Sequence, residues 1–128
     1  MTLSQKKNSA ATVSAIESDS TIMKGVIARV WHGYTKPEHA DAYEAMLKPE
    51  LLPGLSKVKG FLGSYLLRRD LGGEIEFITV ILWDSLDSIR AVAGPDYETA
   101  VIPEERRKHL ARWDDKGAHY EVASVRMP

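Results

Sequence analysis

GGEIEFITVILWDSLDSIRAVAG, residues 72–94, is the stretch on which the fold turns. Residues 74–83 are rich in β-branched and aromatic side chains and contain neither Pro nor Gly, the composition of a strand. One face of that strand carries Ile75, Phe77, Thr79, Ile81 and Trp83. The other carries Glu76, Ile78, Val80 and Leu82. Apolar residues on both faces predict a central strand covered on both sides. At Asp84 or Ser85, either of which can cap, the period changes to helical, with Leu86, Ile89 and Val92 or Ala93 on one stripe that stops at Gly94-Pro95. A strand thus runs directly into a helix that packs back on it.

Working outward, Asp70-Leu71-Gly72-Gly73 reads as a hairpin turn joining this strand to another at residues 60–69, in which Gly63 marks a weak point or a close backbone approach. Further upstream, residues 24–34 alternate Val26, Ala28, Val30 against Ile27, Arg29, Trp31 and predict a first strand. Thr35-Lys36-Pro37-Glu38 then has the form of a capping box with Pro in the first turn. The helix it predicts has Ala40, Tyr43 and Met46 or Leu47 on its apolar face and is kinked or ended by Pro49. Downstream, residues 96–117 read as a helical excursion beginning near Pro103, with Leu110 and Trp113 on its buried face. Residues 118–125 alternate again as a last strand.

The resulting order, βαββαβ, predicts an α+β, ferredoxin-like domain: a four-stranded antiparallel sheet with helices on one face and the first and third strands in the middle. The second face is also largely apolar, which predicts a homodimer packed sheet against sheet.

A chain of 128 residues, 44% hydrophobic and 27% charged, suits one soluble domain with a true core. A net charge of −1 argues against a nucleic-acid partner. The absence of cysteine excludes a disulfide, a thiol nucleophile and a Cys-ligated metal. Residues 1–22 are small and polar, with neither a signal-peptide core nor the arginines of a transit peptide, and read as a disordered tail before the domain at 23–128. No stretch is apolar enough to span a bilayer, so no membrane contact and a cytoplasmic location are expected.

No phosphate-binding glycine loop, HExxH or GxSxG pattern is present, and the four histidines show no metal-ligand spacing on one element. His119, at the start of the last strand, has two readings: a general base near neutral pH, or a rim histidine that only hydrogen-bonds. Trp31, Tyr65 and Trp83 either line a pocket for a flat aromatic ligand or are core. Arg29, set among apolar strand positions, is expected to pair with an acid such as Glu76 or Glu121. Otherwise it reaches the sheet edge or faces a ligand.

ARVWHGY, FLGSYLLRR, FITVILWDSLDSIRAVAG and the terminal HYEV together resemble the antibiotic biosynthesis monooxygenase family of dimeric α/β barrels, over residues 23–125. The resemblance implies a protomer that pairs through its sheet and a pocket between sheet and helices. It also implies one of two chemistries: oxidation of polycyclic phenols to quinones by O₂ without metal or flavin, or haem degradation. Trp83 matches a tryptophan found in several members. Both active groups also use a pocket asparagine, whereas the only asparagine here is Asn8; Thr79, on the face of Trp83, stands in as a hydrogen-bonding residue. Residues 86–93 lack the histidine of the haem degraders. The expectation is therefore a cofactor-independent monooxygenase acting on an aromatic or polyketide-like molecule, with His119 catalytic and Trp31, Tyr65, Thr79 and Trp83 binding substrate. A non-catalytic ligand-binding or stress-related module, or a cofactor-free isomerase or lyase, is the alternative.

Overall fold

The computed structural model describes residues 25–128; the expected tail at 1–22, and Met23 and Lys24 of the expected first strand, lie outside the described residues. β1 (Ile27–Thr35) leads through a 3₁₀ turn (Pro37–His39) into α1 (Ala40–Leu51), followed by the hairpin of β2 (Phe61–Asp70) and β3 (Ile75–Trp83) and then by α2 (Leu86–Ala93). The rest comprises α3 (Glu104–Arg107), β4 (Arg112–Trp113) and β5 (Ala118–Glu121). All pairings are antiparallel. β1 and β3 lie in the middle, with β2 on one edge and β4 and β5 both along the free edge of β1. β4 and β5 are thus two pieces of the fourth strand of a ferredoxin-like sheet, interrupted at residues 114–117.

Register assigns the faces. Thr35 opposite Ile75, Gly33 opposite Phe77, Trp31 opposite Thr79, Arg29 opposite Ile81 and Ile27 opposite Trp83 define the inner face. α1 lays Ala40, Tyr43 and Leu47 on Ile75 and Phe77 of that face, with the Tyr43 and Phe77 rings edge to face at 5.0 Å. Burying a side chain such as Leu47, Ile75 or Phe77 contributes roughly 1.5–3 kcal/mol. The opposite, open face carries Ala28, Val30, His32 and Tyr34 beside Glu76, Ile78, Val80 and Leu82.

The junction from β3 to α2 is tightly built. Ser85 caps the helix by accepting from Ser88 N–H at 3.1 Å, and Asp84 N–H donates to Gly60 O at 2.8 Å. Gly60 has φ +92°, and a Cβ there would stand 2.2 Å from Ser88 Oγ. Only glycine accepts both conditions. Ile89 is the one residue that α2 fully buries.

Four local expectations are corrected. Thr35 does not cap α1: it is the last residue of β1, fully buried and paired with Ile75, so its hydroxyl points into the core rather than at the helix amides. Of the two expectations for Pro49, that it ends the helix is the one corrected: Pro49 lies within α1, which runs on to Leu51. Only Glu104–Arg107 of the expected excursion is helical; Trp113 belongs to β4, because the free edge of β1 offers backbone groups at Gly33 and Tyr34. The last strand stops at Glu121, beyond which Val122 and Val125 pack on Val26 and Leu82 at one end of the open face.

Candidate active site on the inner sheet face

β5 and β1 set His119 directly opposite Arg29 on the inner face. The Arg29 guanidinium donates from Nη1 to His119 Nε2 at 3.3 Å. An imidazole nitrogen that accepts is unprotonated, so the ring is neutral with its hydrogen on Nδ1. Burial, and then the positive charge of Arg29, hold the His119 pKa below its ordinary value, while Glu98 opposes them. Nδ1 itself is buried and has no partner among the described residues. The ring therefore presents an unused donor on one side and an engaged acceptor on the other.

Arg29 does not pair with Glu76 or Glu121. Glu76 is on the open face, where it accepts two hydrogen bonds from Arg69 at 3.0 and 2.7 Å, and Glu121 stands opposite Ile27. Burial lowers the Arg29 pKa with no opposing carboxylate.

A wall of the site comes from a segment the sequence did not reveal. After α2 the chain passes back along residues 115–117, with Gly117 N–H donating to Glu98 O at 2.7 Å and Ala100 N–H to Asp115 O at 2.8 Å. This strap sets the Tyr97 ring edge to face on His119 at 5.0 Å, and the Arg90 guanidinium lies over Tyr97 at 5.4 Å. A tyrosine after Gly94-Pro95 is unremarkable locally; its contact depends on pairing with residues far along the chain.

The structure brings Trp31, Thr79, Trp83 and His119 onto the same face. Trp31 is 8% exposed and donates Nε1–H to Asp114 O at 2.8 Å, which fixes its ring. Thr79 faces it across the two central strands. Trp83 is 3% exposed, packs edge to face on Phe61 at 6.1 Å, and leaves its Nε1–H without a partner among the described residues. Tyr65 is not brought to this group: it stands opposite Val80 on the open face and is 50% exposed. A separate hollow of about 400 Å³, lined by His32, Leu67, Arg68, Arg69, Glu76 and Ile78, includes the Arg69–Glu76 pair of the open face and is remote from His119. The unprotonated His119 nitrogen and the unpartnered His119 and Trp83 donors lie on the inner face.

The antibiotic biosynthesis monooxygenase family model matches residues 25–101, more than half of the chain. The chain belongs to that family. As a member it is similar in structure to an assigned antibiotic biosynthesis monooxygenase of Bacillus cereus, at 16% identity and TM-score 0.59, covering 80% of this chain and 96% of that one. It is similar to a conserved protein of Methanosarcina mazei at 17% identity and TM-score 0.59, covering 77% and 94%. A haem degrader of Mycobacterium tuberculosis with two haems bound in its active site is similar at 19% identity and TM-score 0.51, covering 77% and 97%. These likenesses establish the shared fold. No curated protein matches by sequence.

The helix after Trp83 does not supply the histidine that the likeness to haem degraders implies. α2 buries only Ile89 and carries no histidine, and the His119 acceptor nitrogen is held by a cation. Among the described residues no three His, Asp or Glu side chains are grouped to hold a metal ion, and no helix is long and apolar enough to cross a membrane.

Proposed function

We propose that the protein is a cofactor-independent monooxygenase that oxidises an electron-rich phenol of aromatic or polyketide type with O₂. The observation that carries this reading is the neutral His119 imidazole, held by Arg29 on a face walled by Trp31, Thr79, Trp83 and Tyr97. A neutral imidazole is the form able to take a phenolic proton, and a positioned base contributes roughly 10²–10⁴-fold. In the step proposed, the guanidinium leaves Nε2 for the developing phenolate while Nε2 accepts its proton. The resulting anion transfers an electron to O₂, the radical pair combines at the ring carbon as a peroxide, and loss of water leaves the carbonyl of a quinone. One oxygen atom enters the product and the other leaves as water. Exclusion of water by the buried aromatic walls strengthens the electrostatic contacts of the anion.

The test is O₂ uptake with an anthrone as substrate, using protein freed of metal, flavin and haem by chelation and refolding. Quinone formation above the uncatalysed rate, lowered by roughly 10²–10⁴-fold in His119→Ala at unchanged melting temperature, supports the reading. Uptake no faster than background across anthrones and hydroquinones refutes it. One observation favours a binding module without turnover: the His119 acceptor nitrogen is occupied by Arg29.

The working unit proposed is a homodimer. Tyr65, Leu67 and Tyr120 stand 50%, 47% and 57% exposed around Val30, Ile78 and Val80 on the open face. A stable pairing buries on the order of 1,600 Å² in total, within reach of one sheet face on each protomer.

A further inference from the structure

The two arginines of the described residues that are not exposed are Arg29 and Arg106. Arg106 is bonded to the carboxylate of Glu50. Arg69, Arg68, Arg90 and Arg112, though exposed, each hold a carboxylate as well. Arg29 breaks this pattern. Its protein partner among the described residues is a neutral imidazole at 3.3 Å, which uses one of its five N–H donors. Removing a guanidinium from water is unfavourable unless an anion or several acceptors replace the water. Here no carboxylate replaces that water among the described residues.

The neighbours of Arg29 along and across β1 and β3 on the inner face are apolar or aromatic. Ile81 lies opposite on β3, with Trp31 and Ile27 on either side along β1. Trp83, opposite Ile27, is the diagonal neighbour and carries its own unpartnered Nε1–H. Gly117 packs against the Arg29–His119 pair: a Cβ there would stand 3.8 Å from both Arg29 Nε and His119 Cε1, in ordinary contact. The His119 Nδ1–H adds a second orphaned donor beside the guanidinium. Two buried donors without acceptors among the described residues, beside a guanidinium with N–H groups to spare, call for an oxygen-bearing planar ligand, and the fixed positive charge calls for an ionised one.

We propose that Arg29 is the specificity-determining residue of this site, and that it selects aromatic molecules carrying a carboxylate or an ionised phenolic oxygen over their neutral counterparts. The proposal rests on the inner face being the ligand site, as above, but not on any turnover there.

Isothermal titration calorimetry with 2-naphthoate and the neutral 2-naphthamide tests it on the full chain. The wild type is expected to bind 2-naphthoate on the order of 10–100-fold more tightly, the margin of a charge-assisted hydrogen bond. Arg29→Gln is expected to weaken 2-naphthoate far more than 2-naphthamide and so to erase that preference. Arg29→Lys keeps the charge without the planar fork and is expected to retain part of the preference; it carries the comparison if circular dichroism shows Arg29→Gln unfolded. Equal affinities in the wild type, no binding of either probe at millimolar concentration, or an unchanged preference in a folded Arg29 variant overturns the proposal. A preserved preference together with absent O₂ uptake refutes oxygenation alone.

Discussion

His119 stands across from Arg29 on adjacent strands, accepting one guanidinium N–H at 3.3 Å, and this contact fixes which form of the imidazole the fold tolerates. Because burial and Arg29 depress the His119 pKa below 6.5, the unfolded chain takes up a proton that the folded chain refuses. Stability is then unaffected above about pH 7 and falls as the pH drops below the ordinary histidine value. Urea melts between pH 7.5 and 5 should show this loss, and His119→Gln should remove part of it. A slope identical in the two proteins would show that His119 does not titrate as described.

Gly60 couples the β3–α2 junction to the start of β2. Its positive φ and the 2.2 Å approach to Ser88 Oγ leave no room for a methyl group. Gly60→Ala is expected to destabilise the fold by about 2 kcal/mol or more, read as a lower denaturant midpoint. A change below about 0.5 kcal/mol would mean that the junction relaxes freely.

Tyr43 is fully buried, its hydroxyl has no partner among the described residues, and burial pushes its pKa to about 12. An unsatisfied buried hydroxyl is unfavourable by roughly 1–3 kcal/mol. Tyr43→Phe keeps the ring contact with Phe77 and is expected to raise stability by about 1 kcal/mol, equally at every pH from 5 to 9. A lower melting temperature would reveal a hydrogen bond to that hydroxyl in solution.

On the open face, Leu67→Lys places a charge among Tyr65, Ile78 and Val80. Analytical ultracentrifugation should show a dimer for the wild type and a monomer for this variant. Val92→Lys, on the exposed side of α2, should remain dimeric and serves as the control. A wild-type monomer at micromolar concentration contradicts sheet-to-sheet pairing.

The topology was legible because Ile75, Phe77, Ile81 and Trp83 alternate with Ile78, Val80 and Leu82, a pattern that only a central strand can bury. Which residues share a face was harder to read. Phe61 and Tyr65 have the same parity in sequence, yet the register shift between Phe61 and Gly63 sends Phe61 inward beside Trp83 and Tyr65 outward. That bulge had only Gly63 as its sign. Arg29 was visible as an anomaly, but its isolation was not, because the pairing of Glu76 with Arg69 depends on which face each occupies. Tyr97 and Trp113 are placed by backbone pairing across the chain, in a segment whose local composition suggested a helix.

The central claim is that ligands bind the inner face, and the indole N–H signals of Trp83 and Trp31 in a two-dimensional nitrogen–proton NMR spectrum test it most directly. On titration with 2-naphthoate, the Trp83 Nε1–H, free of any protein acceptor among the described residues, should shift strongly. The Trp31 Nε1–H, bonded to Asp114 O, should move little. Backbone amides of His119 and Tyr97 should follow Trp83. Shifts confined to Tyr65, Leu67 and Ile78, with Trp83 and His119 unmoved, would place the ligand on the open face and contradict the account.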